Sequence, residues 1–342
     1  MLAAVYRKEM RGLRIEELPE PALGPGQVRV RVCYASICGS DLFLVGSGQL
    51  PEGTILGHEM SGQVDGLGEA VQGLSLGDNV IVRPIGCGVC PACSRQEENL
   101  CPKRLAIGLG VLPGAFAERL VVPQGMVIPV PEGLDLAMAA LAEPLATALH
   151  GIRLAGIGPG ERVAVLGAGG IGLCAVAVLG AMGVEKILVS EPQEGRRRRA
   201  LALGASRVVD PIKEDLYRAV SSWCDGQELG AALECAGSLD ALRQAMEMVS
   251  PGGKVVLIGL PKGKMEWAPA MAMLKQLRFQ GSYANTQREC RECLEMLSAG
   301  RLQVREVIQG MITLEELPVK IESLLQRPGD GKVLVELRAR PG

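Results

Sequence analysis

The chain has 342 residues, of which 48% are hydrophobic and 22% are charged, a composition typical of a globular protein. This length exceeds that of most single domains, so we expect two. The net charge of −2 excludes a general attraction to nucleic acid or to an anionic membrane, and only 3% of the residues are aromatic, so the core must be aliphatic.

The N-terminal segment and the cysteines bear on location. The segment MLAAVYRKEMRGLRIEEL is charged within its first ten residues and lacks the apolar core of a signal peptide. No apolar stretch reaches the roughly 18 residues that cross a bilayer without a glycine or a charge. The eleven cysteines, an odd number, fit a reducing compartment better than a disulfide framework. We therefore expect a cytoplasmic protein that binds neither membrane nor nucleic acid.

Residues 1–146 are rich in glycine, proline and short valine-rich runs. Short alternating segments between turn residues predict a mainly-β, barrel-like domain. The clearest runs are Gln27–Val32, Gly62–Val64, Asn79–Val82 and Leu120–Val122.

Four cysteines lie within the lobe of residues 86–102, in the run CGVCPACSRQEENLC. Their spacing is C-x2-C-x2-C-x7-C, with turn-forming residues between them and no apolar periodicity of a core element. Short, turn-forming connections allow four thiolates to converge on one Zn²⁺. The sequence therefore predicts a closed, structural zinc site at Cys87, Cys90, Cys93 and Cys101, which would stabilise the protein and take no part in catalysis.

From residue 147 strand-like runs alternate with helix-length segments rich in Ala, Leu and Arg. This alternation predicts a parallel sheet covered by helices over residues 147–285. The predicted strands are Val163–Leu166, Ile187–Ser190, Val208–Val209, Ala231–Leu233 and Val255–Ile258.

The C-terminal residues, 286–342, contain a predicted helix (Arg288–Ala299) and end near the strand-like run KVLVEL at residues 332–337. That run is more similar to the first domain than to the second. We therefore expect the tail to return and complete the domain formed by residues 1–146.

A G-x-G-x-x-G pattern joins a predicted strand to a predicted helix, Ile171–Leu179. Gly167 permits a tight turn, Gly169 lets the backbone approach a pyrophosphate, and Gly172 allows close helix–strand packing. The free N–H groups at the start of the helix, which include Gly170 and Ile171, favour phosphate binding. A glycine-rich connection without a ligand is the alternative. In this strand–turn–helix context the pattern predicts a dinucleotide site.

Glu191 ends the next predicted strand, 19 residues beyond Gly172. A carboxylate there accepts hydrogen bonds from both ribose hydroxyls and repels a 2′-phosphate, so it favours NAD over NADP. The opposing signal is the run Arg196–Arg199, since an arginine such as Arg196 can bind the 2′-phosphate. Most of these arginines have a simpler interpretation as the solvated face of a helix.

Candidate ligands for a second metal are Cys38 in ICGSDL, His58 and Glu59 in LGHEMSG, and Glu143 in AEPLATALH. A catalytic zinc site uses three such protein ligands and leaves one position open. Each residue also has an ordinary interpretation: Cys38 as a small buried side chain, His58 as a core histidine, and either acid as an exposed carboxylate.

The order of ICGSD, GHE, the four-cysteine lobe, EP and G-x-G-x-x-G resembles the zinc-containing medium-chain dehydrogenases. The branch of sorbitol and other polyol dehydrogenases is most similar, with threonine, butanediol and sugar-alcohol-phosphate dehydrogenases nearby. The resemblance runs from AAVYRKEMRGLRIEELPEPALGPGQVRVRV to GKVLVEL. It implies an α/β protein with a mainly-β GroES-like catalytic domain, residues 1–146 plus 286–342, and a Rossmann domain with a doubly wound sheet, residues 147–285.

The resemblance also implies roles for particular residues. Cys38 and His58 match the family's zinc ligands, Glu59 matches the acid that ligates zinc in the sorbitol dehydrogenase pattern, and Glu143 matches an acid that binds zinc or holds its water. Ser40 matches the hydroxyl that accepts the substrate proton. Many relatives carry a histidine five residues after the ligand cysteine, where this chain has Phe43. Gly259 and Ser282 follow strands of the second domain and are expected beside the cofactor.

We therefore expect two zinc ions per chain, NAD as cofactor, and hydride transfer between a secondary alcohol or polyol and its ketone. The resemblance implies a homo-oligomer, either a tetramer or a dimer. A sugar-alcohol-phosphate substrate is an alternative, for which the loops offer only Arg83, Arg95, Lys103 and Arg104 as phosphate partners. A threonine or butanediol substrate is another, and a cofactor-binding protein without turnover is the alternative of a different class.

Overall fold

The structure, a computed structural model, describes residues 1–110, 112–267 and 269–337. These residues form two compact units. Unit 1 comprises Met1–Glu143, Thr286–Gly300 and the segment that begins at Ile308, and unit 2 comprises Pro144–Asn285 and Arg301–Val307.

The strands follow in chain order: β1 (Leu2–Arg7), β2 (Gly12–Glu17), β3 (Gln27–Ser36), β4 (Glu59–Leu67), β5 (Asn79–Val82), β6 (Arg119–Pro123), β7 (Val127–Pro129), β8 (Arg162–Leu166), β9 (Lys186–Ser190), β10 (Arg207–Val209), β11 (Ala231–Glu234), β12 (Lys254–Leu257), β13 (Arg278–Gly281), β14 (Ile308–Thr313) and β15 (Lys332–Glu336). The helices are α1 (Gly39–Ser47), α2 (Pro91–Ser94), α3 (Leu136–Ala139), α4 (Ala142–Leu154), α5 (Gly170–Ala181), α6 (Glu194–Ala202), α7 (Leu216–Cys224), α8 (Leu239–Met248), α9 (Pro269–Leu274), α10 (Gln287–Ser298) and α11 (Leu317–Gln326). Short 3₁₀ turns form at Glu98–Leu100, Gln124–Met126 and Arg305–Val307.

Unit 1 is built around a seven-stranded sheet of the described residues. Its order is β14-β15-β3-β4-β5-β7, and β6 pairs with β3 as well, while β1 and β2 form a separate antiparallel pair. The last strand, β15, pairs antiparallel with β3, so that Leu334 lies opposite Ser36. The C-terminal segment is therefore part of the same sheet as the N-terminal strands.

The alternating sequence of β3, QVRVRV, explains its place in this sheet. Because successive side chains of a strand point to opposite faces, Val28, Val30 and Val32 all face the core and are at most 1% exposed. The intervening arginines lie on the other face, where the Arg29 Nε donates to the Asp65 carboxylate on β4 at 2.7 Å. One face of β3 thus packs the core and the other carries ion pairs.

Unit 2 contains a six-stranded parallel sheet within the described residues, with the order β10-β9-β8-β11-β12-β13. The chain runs outward from β8 to β9 and β10, then returns to the other side of β8 with β11. This reversal is the switch point of a doubly wound fold, and ligands of such folds bind outside the carboxyl ends of the strands near it. The predicted α/β class, with a mainly-β part and a doubly wound parallel sheet, is confirmed.

The buried elements of unit 2 are aliphatic on all sides, as the scarcity of aromatics required. Strand β8 is buried from Val163 to Leu166, and helix α5 is buried continuously from Gly172 to Leu179. A helix without a polar face belongs in a core, so β8, α5 and the turn between them form a rigid support for the glycine-rich turn.

None of the helices within the described residues combines the length and the apolar character that a bilayer crossing requires.

Candidate catalytic and cofactor sites

The first candidate site begins at the N-terminus of α1. Cys38 is the N-cap residue of this helix, and Asp41, three positions further on, caps it with a fully buried carboxylate. One oxygen of Asp41 accepts from the backbone N–H of Cys38 at 2.8 Å, and the other accepts from the N–H of Gly57 at 3.3 Å. Asp41 therefore ties the backbone of Cys38 to the residue that precedes His58.

His58 and Glu59 enter this site at the start of β4. One ligand atom each from Cys38, His58 and Glu59 lies within 4.8 Å of the others, and both His58 and Glu59 are buried. The Ser40 Oγ is 3.3 Å from the His58 Nε2, and the His58 Nδ1 is 3.6 Å from the Asp41 carboxylate. The thiol, imidazole and carboxylate therefore converge, with the hydroxyl of Ser40 beside them.

The electrostatics of this cluster favour a cation. Burial by itself lowers the pKa of His58, but Asp41 and Cys38 outweigh that effect and raise the pKa well above its usual range. Glu59 is 1% exposed and its Oε1 accepts from the Lys332 Nζ of β15, which is also buried. The other oxygen, Oε2, is buried and has no hydrogen-bond partner among the residues that the structure describes.

These observations fit a bound zinc ion. Sulfur, imidazole nitrogen and carboxylate oxygen are its usual ligands, and an unpartnered buried carboxylate oxygen has the desolvation cost that a metal would offset. Glu143, which sequence analysis also placed here, lies in the first turn of α4 and is partly buried. Among the described residues it is not part of the group within 4.8 Å.

The second metal candidate is the lobe. The sulfurs of Cys87, Cys90, Cys93 and Cys101 all lie within 4.8 Å of one another. Gly86 contributes by its lack of a side chain, because a Cβ there would be 2.5 Å from the Cys93 sulfur. Four thiols at this separation form the donor set of a closed zinc site, with no position left for a substrate.

Ionisation of the four thiols is uneven. The backbone N–H of Val89 is the main cause that lowers the pKa of Cys87 to about 6, whereas desolvation raises that of Cys93 to about 11. The thiols that ionise first make further ionisation harder, so a cation is needed to hold all four as thiolates. The donor chemistry of the lobe therefore fits Zn²⁺.

A buried arginine anchors the lobe to the rest of unit 1. Arg83 is 1% exposed and donates to the Pro84 carbonyl at 2.7 Å, and its Nη1 lies 3.4 Å from Glu98 in the lobe. The same Glu98 carboxylate accepts from the N–H of Gln287, the first residue of α10, at 2.6 Å.

The glycine-rich turn of unit 2 follows β8. Gly167 adopts a positive φ of 92°, and a Cβ there would meet Ala236 at 2.7 Å; a Cβ on Gly172 would meet the Gly167 carbonyl at 1.9 Å. Gly169 differs, because the nearest atom to its added Cβ is Arg196 Nη1 at 3.9 Å. Two glycines thus allow close packing, and the third leaves an open cradle at the N-cap of α5, where Gly170 and Ile171 begin the helix.

Glu191 lies directly beside this turn and is 1% exposed. Its Oε2 accepts from the Ala168 N–H at 2.8 Å and its Oε1 from the Gln193 N–H at 2.9 Å. Arg196 Nη1 is 3.5 Å from the same Oε2. A carboxylate and an arginine therefore both lie at the end of β9, next to the open position at Gly169.

Gly259 and Ser282 lie at the carboxyl edge of the same sheet, after β12 and β13. A Cβ on Gly259 would be 2.5 Å from both Glu234 Oε2 and the Gly237 nitrogen. The Ser282 Oγ is buried, and no described residue forms a hydrogen bond with it. A dinucleotide fits this site for three reasons. Gly169 leaves an open cradle, the first turn of α5 presents free N–H groups, and the turn lies at the carboxyl edge of the parallel sheet.

Sequence analysis did not identify Asp41 or Lys332. Asp41 had a local signal, since an acid three residues after an N-cap is typical of a capping box. Lys332 had none, because it is 273 residues from Glu59 and only the pairing of β15 in the sheet brings the two side chains together.

Comparisons with known proteins agree with this fold and these sites. The alcohol dehydrogenase GroES-like domain matches residues 24–132, and the zinc-binding dehydrogenase domain matches residues 170–299. The chain is 36% identical to an L-threonine 3-dehydrogenase of Pyrococcus abyssi over 78% of this chain and 77% of that protein. It is 30% identical to the sorbitol dehydrogenase of Bacillus subtilis over 95% and 94%. The structure of a zinc-binding dehydrogenase from Sinorhizobium meliloti bound to NADP is 31% identical, with a TM-score of 0.89 and 98% of each chain covered.

The chain therefore belongs to the zinc-binding dehydrogenases with an alcohol dehydrogenase GroES-like domain, and the predicted relationship is confirmed. It is an oxidoreductase that acts on alcohols with zinc and a pyridine nucleotide.

Proposed function

We propose that this enzyme catalyses the reversible, NAD-dependent oxidation of a secondary alcohol in a polyol or a related small molecule. The observation that supports this most directly is the convergence of Cys38, His58 and Glu59 within 4.8 Å, with the Ser40 hydroxyl 3.3 Å from the imidazole. This arrangement combines a three-ligand metal site with a proton-accepting group.

Cys38, His58 and Glu59 hold the catalytic zinc in this proposal, with Glu143 as a second acid near the metal. A zinc bound there would act as a Lewis acid that lowers the pKa of the substrate hydroxyl. Lys332 neutralises one oxygen of Glu59 and leaves Oε2 as the ligand atom. The Asp41 carboxylate lies 3.6 Å from the His58 Nδ1, a position from which it would favour Nε2 as the ligand atom.

Ser40 takes the proton of the substrate hydroxyl. Its Oγ lies on the first turn of α1 and within reach of the ligating imidazole nitrogen. Phe43, which is 40% exposed, stands where many relatives have a histidine. Because position 43 offers no second imidazole, a bound nicotinamide ribose would supply the hydroxyl through which Ser40 passes the proton to water.

We propose NAD rather than NADP as the cofactor. Glu191 places a buried carboxylate at the end of β9, where it accepts from the backbone of the glycine-rich turn and disfavours a 2′-phosphate. Arg196 is the feature that favours NADP, and one relative is bound to NADP. However, the Arg196 guanidinium lies 3.5 Å from Glu191, so the carboxylate already opposes its charge. Gly167 and Gly172 shape the glycine-rich turn, and the phosphates would bind at Gly169, Gly170 and Ile171. The nicotinamide would lie beside Gly259 and Ser282.

The proposal extends to four further properties. The lobe holds a second, structural zinc, so that each chain binds two ions. Residues 1–146 with 286–342 act as the catalytic domain and residues 147–285 as the nucleotide-binding domain. The protein is cytoplasmic, and it assembles as a homo-oligomer, a tetramer or a dimer.

We propose an unphosphorylated substrate, because two of the four basic side chains considered as phosphate partners are engaged by acids. Of the basic side chains considered as phosphate partners, Arg83 is buried and interacts with Glu98, and Arg95 is 2.7 Å from Glu97. The threonine and sorbitol dehydrogenases among the relatives act on substrates that share a secondary alcohol next to a polar group. We place polyols first and threonine second.

A panel of alcohols tests this function. We expect NAD reduction, followed at 340 nm, with at least one of sorbitol, xylitol, 2,3-butanediol and threonine, and lower rates with polyol phosphates. Cys38→Ala should abolish the reaction, while the matched variant Cys33→Ala, which changes a partly buried thiol outside the cluster, should retain it. A protein that binds NAD and zinc but oxidises no alcohol would contradict the proposal.

Glu191→Ala tests the choice of cofactor. Without the carboxylate the ribose hydroxyls lose an acceptor and a 2′-phosphate loses its repulsion, so we expect the ratio of kcat/KM for NAD over NADP to fall by about tenfold or more. Asp240→Ala, at an exposed position of the same unit, is the control. A wild-type preference for NADP would show that Arg196 outweighs Glu191.

A further inference from the structure

Glu234 is a buried acid whose role neither the catalytic proposal nor sequence analysis assigns. It ends β11, in the middle of the parallel sheet of unit 2, and is 0% exposed. No ion pair is found for it among the described residues, and burial raises the pKa of its carboxyl group. An ionisable side chain at such a position is costly, and an aliphatic residue would pack there without that cost.

The hydrogen bonds of Glu234 hold the loop between β11 and α8. Its Oε1 accepts from the N–H groups of Ala236 and Ser238, at 2.8 and 3.2 Å. The backbone carbonyl of Glu234 accepts from the N–H groups of Ile258 and Gly259, at 3.0 and 2.8 Å. One residue thus connects the loop at 235–238 with the segment that follows β12.

This loop in turn contacts the glycine-rich turn. A Cβ on Gly167 would be 2.7 Å from Ala236, so the loop lies directly against the first glycine of the phosphate-binding pattern. On its other side, a Cβ on Gly237 would be 3.0 Å from the Leu260 carbonyl. The loop at 235–238 therefore packs between the glycine-rich turn and the segment after β12. Both of these neighbours lie at the carboxyl edge of the sheet.

The second carboxyl oxygen faces this junction. Within the described part of the chain, Oε2 is buried without a hydrogen-bond partner, and it lies 2.5 Å from where a Cβ of Gly259 would be. The site therefore uses one oxygen as an acceptor for two amides, and no cationic side chain of the described residues pairs with the carboxylate. A neutral group with one good acceptor, such as a protonated carboxyl or an amide, meets the same requirement.

We propose that Glu234 is a positioning residue of the dinucleotide site, whose acceptor oxygen holds the loop at 235–238 against the glycine-rich turn. It touches neither cofactor nor substrate, and its contribution depends on the acceptor and not on a charge. The proposal rests on the binding of a pyridine nucleotide, and it holds for either NAD or NADP.

Two substitutions of similar volume separate the acceptor from the charge. Glu234→Gln keeps an acceptor oxygen and removes the charge, whereas Glu234→Met removes both. The loss of the acceptor for the N–H groups of Ala236 and Ser238 predicts that the dissociation constant for NAD rises by about tenfold or more in Glu234→Met. In Glu234→Gln it should stay within about threefold of the wild type. Glu228→Met, at an exposed position of the same unit, is the control.

Calorimetric titration of the zinc-loaded protein with NAD and with NADP measures these constants without turnover. Hydrogen exchange of the peptide that contains Ala236 and Ser238 should be faster in Glu234→Met and unchanged in Glu234→Gln. If Glu234→Met fails to fold, Glu234→Asp replaces it, because the shorter side chain draws the acceptor away from both amides. We then expect weaker nucleotide binding in Glu234→Asp and wild-type binding in Glu234→Gln.

Three results would overturn the proposal. Glu234→Met, or Glu234→Asp in its place, could bind nucleotide as the wild type does, which would make the acceptor irrelevant to the site. Glu234→Gln could bind as weakly as Glu234→Met, which would assign the effect to charge. If the wild-type protein bound neither NAD nor NADP, the proposal that it binds a pyridine nucleotide would be wrong. The titration of the wild type shows this without any variant.

Discussion

The two groups of candidate metal ligands in unit 1 differ in how the chain brings them together. The four cysteines of the lobe lie within 15 residues, and turns and one short helix, α2, suffice to bring their sulfurs together. The cluster of Cys38, His58 and Glu59 instead needs the start of α1, the start of β4 and a lysine from β15. The local site has no open position, whereas the assembled site has a hydroxyl beside it and unpartnered polar atoms within it. Stability and catalysis are thus expected to respond differently to loss of each site.

Among the substitutions that leave both groups of candidate metal ligands intact, Ser40→Ala has the largest expected effect on turnover. Loss of a positioned proton acceptor should lower kcat by about 10²–10⁴ while zinc content and NAD affinity stay unchanged. Ser47→Ala, at the exposed end of the same helix, is the control. Stopped-flow and steady-state rates across pH measure the effect. An unchanged rate and pH profile would show that the hydroxyl is structural.

The next effect is that of the buried pair between Lys332 and Glu59. Lys332→Met leaves the Glu59 carboxylate buried without its cation, so we expect the free energy of unfolding of the metal-free protein to fall by about 3–5 kcal/mol. Zinc should offset part of this loss, because a bound cation compensates the same carboxylate. Lys8→Met, at an exposed position of unit 1, is the control.

Denaturant unfolding with and without zinc measures this prediction. Equal destabilisation with and without zinc would show that the effect of Lys332 is independent of the metal site. No destabilisation in either condition would show that the pair of Lys332 and Glu59 does not stabilise the fold.

A smaller effect on the free energy of unfolding is expected from Glu98, which connects the lobe to Arg83. Glu98→Gln removes the negative charge opposite Arg83, and its carboxamide oxygen can still accept from both Arg83 and the N–H of Gln287, because one carboxylate oxygen accepts from both in the wild type. Loss of one charge-assisted interaction predicts a decrease of about 1.5–3 kcal/mol in the free energy of unfolding, with little change in kcat/KM. Glu97→Gln, at a partly buried neighbouring position whose carboxylate pairs with Arg95, is the variant for comparison. A loss of turnover that exceeds the loss of folded protein would show that the lobe contributes to catalysis.

The sequence predicted the regular elements and the local motifs well. Strand β8 was predicted at Val163–Leu166 and forms at Arg162–Leu166, and the predicted helix Arg288–Ala299 forms at Gln287–Ser298. These elements have their cause in nearby residues, namely hydrophobic periodicity and, for α10, a Thr286 capping box. The fold class follows from their alternation.

The contacts that complete the sites had no such local cause. The pairing of Lys332 with Glu59 depends on the register of β15 in the sheet, and the burial of Glu234 depends on the loops that close over the carboxyl edge of β11. The hairpin of β1 and β2 was also not predicted, because charged residues interrupt its alternation. Long-range pairing therefore limits what sequence alone reveals about such a site.

Zinc content and turnover of Cys38→Ala and Cys93→Ala test most directly the claim that unit 1 holds two metal sites of different kinds. Inductively coupled plasma mass spectrometry should find two zinc ions per chain in the wild type. Cys38→Ala should bind one and lose more than about 100-fold in turnover without a change in thermal stability of similar size. Cys93→Ala should also bind one, unfold at a lower temperature, and retain turnover in the protein that remains folded. A wild-type protein with a single zinc, or equal losses of stability and turnover in both variants, would contradict the account.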